Sequence, residues 1–208
     1  MPVVSPYDGI PEPEWLAKTK SLIKDHPLED EEIVDAVLES WTSIFESKIG
    51  KHGIRIGEDL FPTPQVMGMF LHELVPLELA ARHPQNWRGD LSASEKDLVY
   101  LPDDSMSVEI KTSSNADQIF ANRSYAQQST GAKKSKDGFY IAVNFEKFPK
   151  TRPVTLRPKI KIIRFGWLEH TDWIGQASQS GQQARLLRNT YITKFALLYK
   201  DGQRYSVE

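Results

Sequence analysis

The chain has 208 residues, 39% hydrophobic and 26% charged, enough for one well-buried core and too ordinary in composition for wholesale disorder or a fibrous protein. It contains no cysteine, which excludes disulfides, thiolate zinc sites and cysteine nucleophiles. The net charge of −2 argues against a simple polycationic coat for nucleic acid, yet residues 1–50 carry 11 acidic and 4 basic side chains while residues 133–164 carry 10 basic and 2 acidic ones, and a local basic surface can hold phosphates whatever the total.

The opening Met1-Pro2-Val3-Val4-Ser5-Pro6 lacks a basic region followed by an apolar stretch, and no apolar run reaches the roughly 18 residues of a membrane span. A soluble, unexported, cytoplasmic protein with no membrane partner is expected. Residues 1–12, with three prolines and a glycine, predict an extended lead-in without structure of its own. Trp15 to Lys24 reads as a short amphipathic helix ending before Pro27. Glu31 to Ile49 repeats apolar residues at Ile33, Val34, Val37, Leu38, Trp41, Ile44, Phe45 and Ile49, a helical stripe that Gly50 can terminate. After an irregular crossing over Gly53 to Phe61, Thr63 and Pro64 open a third helix with a threonine cap and a proline in the first turn. This helix is apolar on most sides, interrupted by Glu73 and Glu78, and is expected to lie buried against a sheet, with Pro76 able to kink it.

Beyond a polar link over residues 83–94 the periodicity changes to two-residue alternation. Residues 97–101, a Pro-Asp-Asp-Ser turn at 102–105, and residues 106–112 predict strand, turn and strand. Gln118 to Ser129 reads as a helix, Phe139 to Phe145 and Lys159 to Leu168 as strands, and residues 191–199 and 203–207 as a strand pair around the Asp201-Gly202 turn. Residues 176–183 are rich in amides and read as a surface loop. The fold class expected is α/β, a mixed central sheet flanked by helices, in a single domain with a helical N-terminal extension over 1–60.

The chemistry concentrates in the predicted hairpin. If it folds about Asp103, residues whose numbers sum to 206 face one another, and Asp97 lies opposite Glu109, roughly 5 Å away at Cβ. Lys111 points to the same face because strand side chains alternate, while Val108, Ile110, Leu98 and Tyr100 point to the other, where a core would want them. Two close carboxylates repel unless a cation neutralises them, so a Mg²⁺ site with water and a substrate phosphate in its remaining positions is the natural resolution. A cross-strand salt bridge on an exposed sheet is the purely structural alternative. The upstream aspartate, the apolar flanks and the polar Thr112-Ser113-Ser114 exit weigh against it.

Asp97 followed by Val108-Glu109-Ile110-Lys111, a polar exit and a helix resembles the PD-(D/E)XK nuclease signature, and residues 107–128 resemble the corresponding stretch of type II restriction endonucleases. The resemblance implies a restriction-endonuclease-like core over residues 61–168, with metal ligation by Asp97 and Glu109 and catalysis by Lys111. It also implies sequence-specific, Mg²⁺-dependent hydrolysis of double-stranded DNA in the cytoplasm of a prokaryote. The literal Pro102-Asp103 pair departs from the pattern by lying on the turn, so Asp97 is preferred, with Asp103 or Asp104 as substitutes. Some members add an acid from the preceding helix, and Glu73 is the match here.

The basic stretch from Lys133 to Arg164 is expected to grip phosphates, with Lys133 and Lys134 among the candidates for DNA contact. Asn122, Arg123, Ser124 and Gln127, together with Gln179, Gln182, Gln183 and Arg185 in the terminal region 169–208, are candidates for DNA contact, because arginine and amide side chains match base edges. Cutting both strands of a symmetric site suggests a homodimer, with Trp15 and Trp41 of the acidic helices available for its contact. A repair or junction nuclease on the same core, a non-catalytic DNA-binding module, and an adaptor using the acidic helices remain as alternatives.

Overall fold

A computed structural model of the chain describes residues 4–129, 134–151, 157–178 and 180–207. Three helices precede the sheet: α1 (Trp15–Lys24), α2 (Asp30–Glu46) and α3 (Pro64–Arg82). The helical stripe of α2 buries Ile33, Val34, Val37, Trp41, Ile44 and Phe45. Its N-terminus is closed by a reciprocal capping box between Glu29 and Glu32. It stops at Glu46 because Ile49 leaves the helix to pair with Ile54 across a tight turn. At the start of α3 proline occupies the first turn as expected, but the Thr63 side chain makes no cap bond.

The main sheet has seven strands in the order β1 (Trp87–Gly89), β2 (Leu98–Tyr100), β3 (Val108–Ser113), β5 (Gly138–Phe145), β6 (Ile160–Leu168), β9 (Phe195–Lys200) and β10 (Gln203–Arg204). Only β3 and β5 run parallel; the other neighbours are antiparallel, so the sheet is mixed as expected. β9 and β10 form the hairpin expected around Asp201 and Gly202, whose φ values of +48° and +97° are those a tight primed turn requires. Residues 188–193 form a short helix, α4 (Arg188–Thr193), where the start of that strand was expected.

The two faces of the sheet carry different cores. The helices cover one face, burying Leu98, Val108, Ile110, Phe139, Ile141, Val143 and Phe165 with the apolar sides of α1, α2 and α3. The other face is covered by a second sheet that the sequence did not predict, formed by β4 (Phe120–Asn122), β8 (Gln183–Leu186) and β7 (Trp173–Gly175). Ile119, Tyr125, Tyr140, Ala142, Trp173 and Leu186 pack between the two sheets. The helix expected over residues 118–129 is therefore replaced by β4 and a 3₁₀ turn, Arg123–Ala126. The local sequence tolerates a helix, but pairing of Asn122 with Gln183 and Phe120 with Arg185 satisfies the backbone across some sixty residues of chain.

Three other expectations are corrected. The N-terminal lead-in is anchored, since Tyr7 is buried and its hydroxyl bonds Thr19 and the Trp167 carbonyl. Trp41 is buried with its Nε1–H donating to the Pro158 carbonyl, and Trp15 packs against the core with its Nε1–H on Ile10, so neither indole is available for a dimer contact. α3 packs against α2, β1 and β3 with one side only, leaving Met69 and Leu77 exposed. Among the described residues no helix is long and apolar enough to cross a membrane.

His26, between α1 and α2, is buried and held as one neutral tautomer. Its Nε2–H faces the Met106 carbonyl at 2.9 Å, and its Nδ1 accepts from the Leu28 N–H at 3.2 Å. Burial drives its pKa down to about 4, against the opposing pull of the Met106 bond. The unfolded chain takes up this proton near the ordinary histidine value of roughly 6.5, where the folded chain refuses it, so stability is complete above that pH and falls as pH drops towards 4. The loss should reach roughly 3 kcal/mol. Urea denaturation between pH 7 and pH 4.5 checks this: the slope contributed by His26 should vanish in His26→Leu, and an identical slope in both proteins would refute it.

Candidate functional site

The observed hairpin pairs Leu98 with Val108, the register in which numbers sum to 206. The ladder ends there. Asp97 turns its carboxylate onto the free edge of β3, where Oδ2 accepts the Ile110 N–H at 2.7 Å, so a side chain stands in for the missing strand partner. Glu109 pairs in register with Tyr140, and Lys111 with Ala142, which puts both on the face covered by the second sheet. Val108, Ile110 and Leu98 face the helical core as expected.

Gly68 brings α3 onto this edge. A Cβ there would lie 2.7 Å from Thr112 Oγ1, so glycine lets helix and strand approach without displacing the threonine hydroxyl. One turn further along α3, His72 places Nε2 3.1 Å from Asp97 Oδ2. The hydrogen bond to Asp97 raises the His72 pKa against the lowering effect of burial. His72 received no role from the sequence; the only local signal was its spacing of four from Gly68.

Asp97 and Glu109 are almost wholly buried, at 3% and 1% exposure. Glu109 Oε1 accepts from the Tyr125 hydroxyl and from Lys111 Nζ, the latter at 2.5 Å. Lys134 Nζ sits between the two acids, 2.5 Å from Asp97 Oδ1 and 2.6 Å from Glu109 Oε2. The Glu109 contact is an ion pair without hydrogen-bond alignment, which leaves Oε2 with no formal hydrogen-bond partner among the described residues. Each carboxylate thus has one oxygen fixed by the fold and one turned towards a shared cation. Lys96, whose buried ammonium has no hydrogen-bond partner among the described residues, lies 5.0 Å from the Tyr140 ring centroid.

Charge decides the ionisation of this cluster. Burial alone would raise the Asp97 pKa, but the His72 hydrogen bond and the charges of Lys111 and Lys134 hold it well below the carboxylate range. Burial likewise opposes ionisation of Glu109, and Lys111, Lys96 and Lys134 outweigh it. Burial brings Lys96 down to about 8, with Glu109 pulling the other way. Burial and the neighbouring Glu109 raise the Tyr125 pKa, so its hydroxyl remains a donor. Two anions surrounded by three lysines and a histidine make a site suited to a further polyanion, such as a phosphate chain.

The donor set fits a hard divalent cation. Asp97 Oδ1 and Glu109 Oε2 offer two oxygens to one point, which an ammonium fills. Among the described residues no group of three or more His, Asp or Glu side chains is arranged around a metal position, so the protein's share is this carboxylate pair.

The remaining candidates separate. Glu73 is not buried: its side chain is 69% exposed, beside the His72 ring. It lines, with His72, Gly68, Thr112, Ser113, Lys147 and Gln183, an open cleft of about 780 Å³. Asp103 accepts from the Ser105 N–H and Asp104 from the Ser107 hydroxyl, so both substitutes serve the turn. Arg123 donates to the carbonyls of Ser178 and Gly181, leaving its guanidinium less free for bases than expected. Asn122, Ser124, Gln127, Gln182, Gln183 and Arg185 are exposed. Lys133 and Gln179 lie outside the described residues. Among the described residues of the basic stretch, Arg157 approaches Glu58, Lys161 pairs with Asp201, and half-buried Arg164 donates to Asn144 and lies over the Tyr191 ring, so these three are engaged within the fold.

Comparison with known proteins adds an independent observation. A family model described as ScaI restriction endonuclease matches residues 5–199. A protein described as Type II restriction enzyme ScaI, from Streptomyces caespitosus, is 52% identical over 201 residues, which cover 96% of this chain and 87% of that protein. No solved structure matches the chain.

Proposed function

The chain belongs to the ScaI restriction endonuclease family and is a site-specific deoxyribonuclease, and on that premise we propose that Asp97, Glu109 and Lys111 carry the hydrolysis of DNA phosphodiesters with Mg²⁺. The observation that carries this reading is the pair of oxygens, Asp97 Oδ1 and Glu109 Oε2, aimed at one cation position beside Lys111. Asp97 and Glu109 would hold the metal, and Mg²⁺ suits a site of hard oxygens completed by water and phosphate. When bound, such a cation supplies Lewis acidity and makes water a stronger acid.

The protein's own groups do the positioning. Ile110 N–H and His72 fix Asp97 Oδ2, and Tyr125 and Lys111 fix Glu109 Oε1, so neither acid must reorient during turnover. Lys111 is placed to orient the attacking water or to stabilise charge on the phosphate oxygens. Gln183, on the cleft that His72 also lines, and exposed Asn122 beside it in the second sheet are the strongest candidates for reading bases. Residues 61–168 then hold the catalytic groups and residues 169–208 complete the recognition sheet in a single nuclease domain. The protein would act as a homodimer in the prokaryotic cytoplasm, two copies of one active site cutting both strands of a symmetric sequence.

Incubating the purified protein with unmethylated phage and plasmid DNA, with Mg²⁺ or with EDTA, tests the reading. Discrete fragments that require Mg²⁺ are expected. Intact DNA across many sequences and divalent ions would overturn it, and a smear would remove its sequence specificity.

A further inference from the structure

We infer that Lys134 is a built-in place-holder for the divalent cation, an ammonium that occupies the shared carboxylate position when metal is absent and must withdraw for metal to enter. The inference rests on the Asp97–Glu109 pair being the metal site.

Geometry separates Lys134 from the other lysines of the cluster. Its Nζ contacts Asp97 Oδ1 and Glu109 Oε2, the two oxygens that no other group among the described residues fixes. Lys111 touches Glu109 Oε1, already held by Tyr125, and the Ile110 carbonyl. Among the described residues the Lys96 ammonium finds no hydrogen-bond partner, and it lies over the Tyr140 ring. Among the described residues Lys134 alone bridges both acids.

An ammonium at about 2.5 Å and a magnesium ion at about 2.0–2.1 Å from the same oxygens cannot coexist. The place-holder solves a problem that any buried carboxylate pair poses in the metal-free protein, since two desolvated anions side by side would otherwise repel or take up a proton. Its withdrawal is sterically open. Lys134 precedes β5 in a segment outside any strand, and it lines a cavity of about 630 Å³ whose wall also carries Asp104 and Asp137. The displaced ammonium therefore has both room and counter-charge beside it.

Mn²⁺ titration of the full chain by calorimetry without DNA tests the competition. Lys134→Met should bind Mn²⁺ about 10-fold or more tightly than the parent, and Lys111→Met should gain clearly less because that lysine does not share the metal's oxygens. Unchanged or weaker binding in Lys134→Met, or an equal gain in Lys111→Met, would overturn the inference. The second measurement uses the unaltered protein: acetylation of the Lys134 amine, mapped by mass spectrometry, should be slow without Mn²⁺ and faster at saturation, and a rate indifferent to Mn²⁺ would also overturn it. Mn²⁺ binding that survives the double variant Asp97→Asn, Glu109→Gln would instead bring down the site assignment beneath it.

Discussion

Glu109→Gln is expected to cut DNA at least about a thousandfold more slowly than the parent, a loss at the upper end of what removal of one transition-state contact costs because a metal ligand is lost as well. The amide keeps the size of the side chain and an acceptor for Tyr125, yet removes the charge that Asp97 needs as its partner in holding a cation. The same change should lower folding stability by roughly 3–5 kcal/mol, the usual effect of deleting one member of a buried ion cluster. From the sequence, Glu109 and Lys111 lie on a polar face and their removal would leave folding nearly intact. The structure corrects this, because Glu109 is 1% exposed and faces Lys111 and Lys134. Circular dichroism at the assay temperature separates the two effects, since a domain of this size should stay folded after such a loss. Metal-free DNA binding should persist or tighten as the repulsion between carboxylate and phosphate is relieved. Cleavage near the parental rate by folded Glu109→Gln would remove Glu109 from the catalytic set.

Lys194→Met should destabilise the fold by roughly 3–5 kcal/mol without touching the nuclease site. Lys194 is 1% exposed, with Nζ 2.7 Å from Glu169 and 2.9 Å from Asp172. The same ammonium lies 4.5 Å from the Tyr7 ring centroid and 4.6 Å from that of Trp15. It thereby ties the N-terminal segment and α1 to the strand pair at the far side of the sheet. Methionine fills the space but strands two acids, one of which, Asp172, already has its pKa raised by burial. Denaturant unfolding of Lys194→Met beside the triple variant Lys194→Met, Glu169→Gln, Asp172→Asn checks the cause. The triple variant should regain much of the loss, and a single variant as stable as the parent would show that the cluster contributes little.

The parts of the site that could be read in the sequence are those whose geometry is local. β2 and β3 are neighbours in sequence, so the nearness of Asp97 to Glu109 and the alternation that adds Lys111 followed from short-range rules, although the connection is the seven residues 101–107 with a 3₁₀ turn rather than the expected four, and Leu98–Val108 is the one registered pair. The apolar stripes of α1 and α2 and the hydrophobic run Phe139–Val143 of β5 were legible for the same reason. His72, Tyr125 and Lys134 were not assigned to the carboxylates, because they arrive from a helix and a crossover whose approach depends on how layers stack. Lys134 was singled out only as one charge in a basic stretch. The second sheet escaped because β4 and β8 are short and find each other only through distant pairing. Glu73 illustrates the opposite error. An acid within a mostly apolar helix suggested burial, but α3 leaves that side open to the cleft.

The single parallel pairing in the main sheet, β3 with β5, has a kinetic meaning. Antiparallel neighbours can zip from a hairpin, whereas parallel neighbours require the intervening chain to travel the length of the sheet and return, which makes their closure slow. The two acids come from one hairpin and can meet early. Tyr125 and Lys134 lie on the returning chain, so the acids acquire these partners only when β5 docks. A newly made chain thus carries an unfinished active centre until its slowest closure is complete, and catalytic competence becomes a report on the whole fold rather than on the strands that bear the acids.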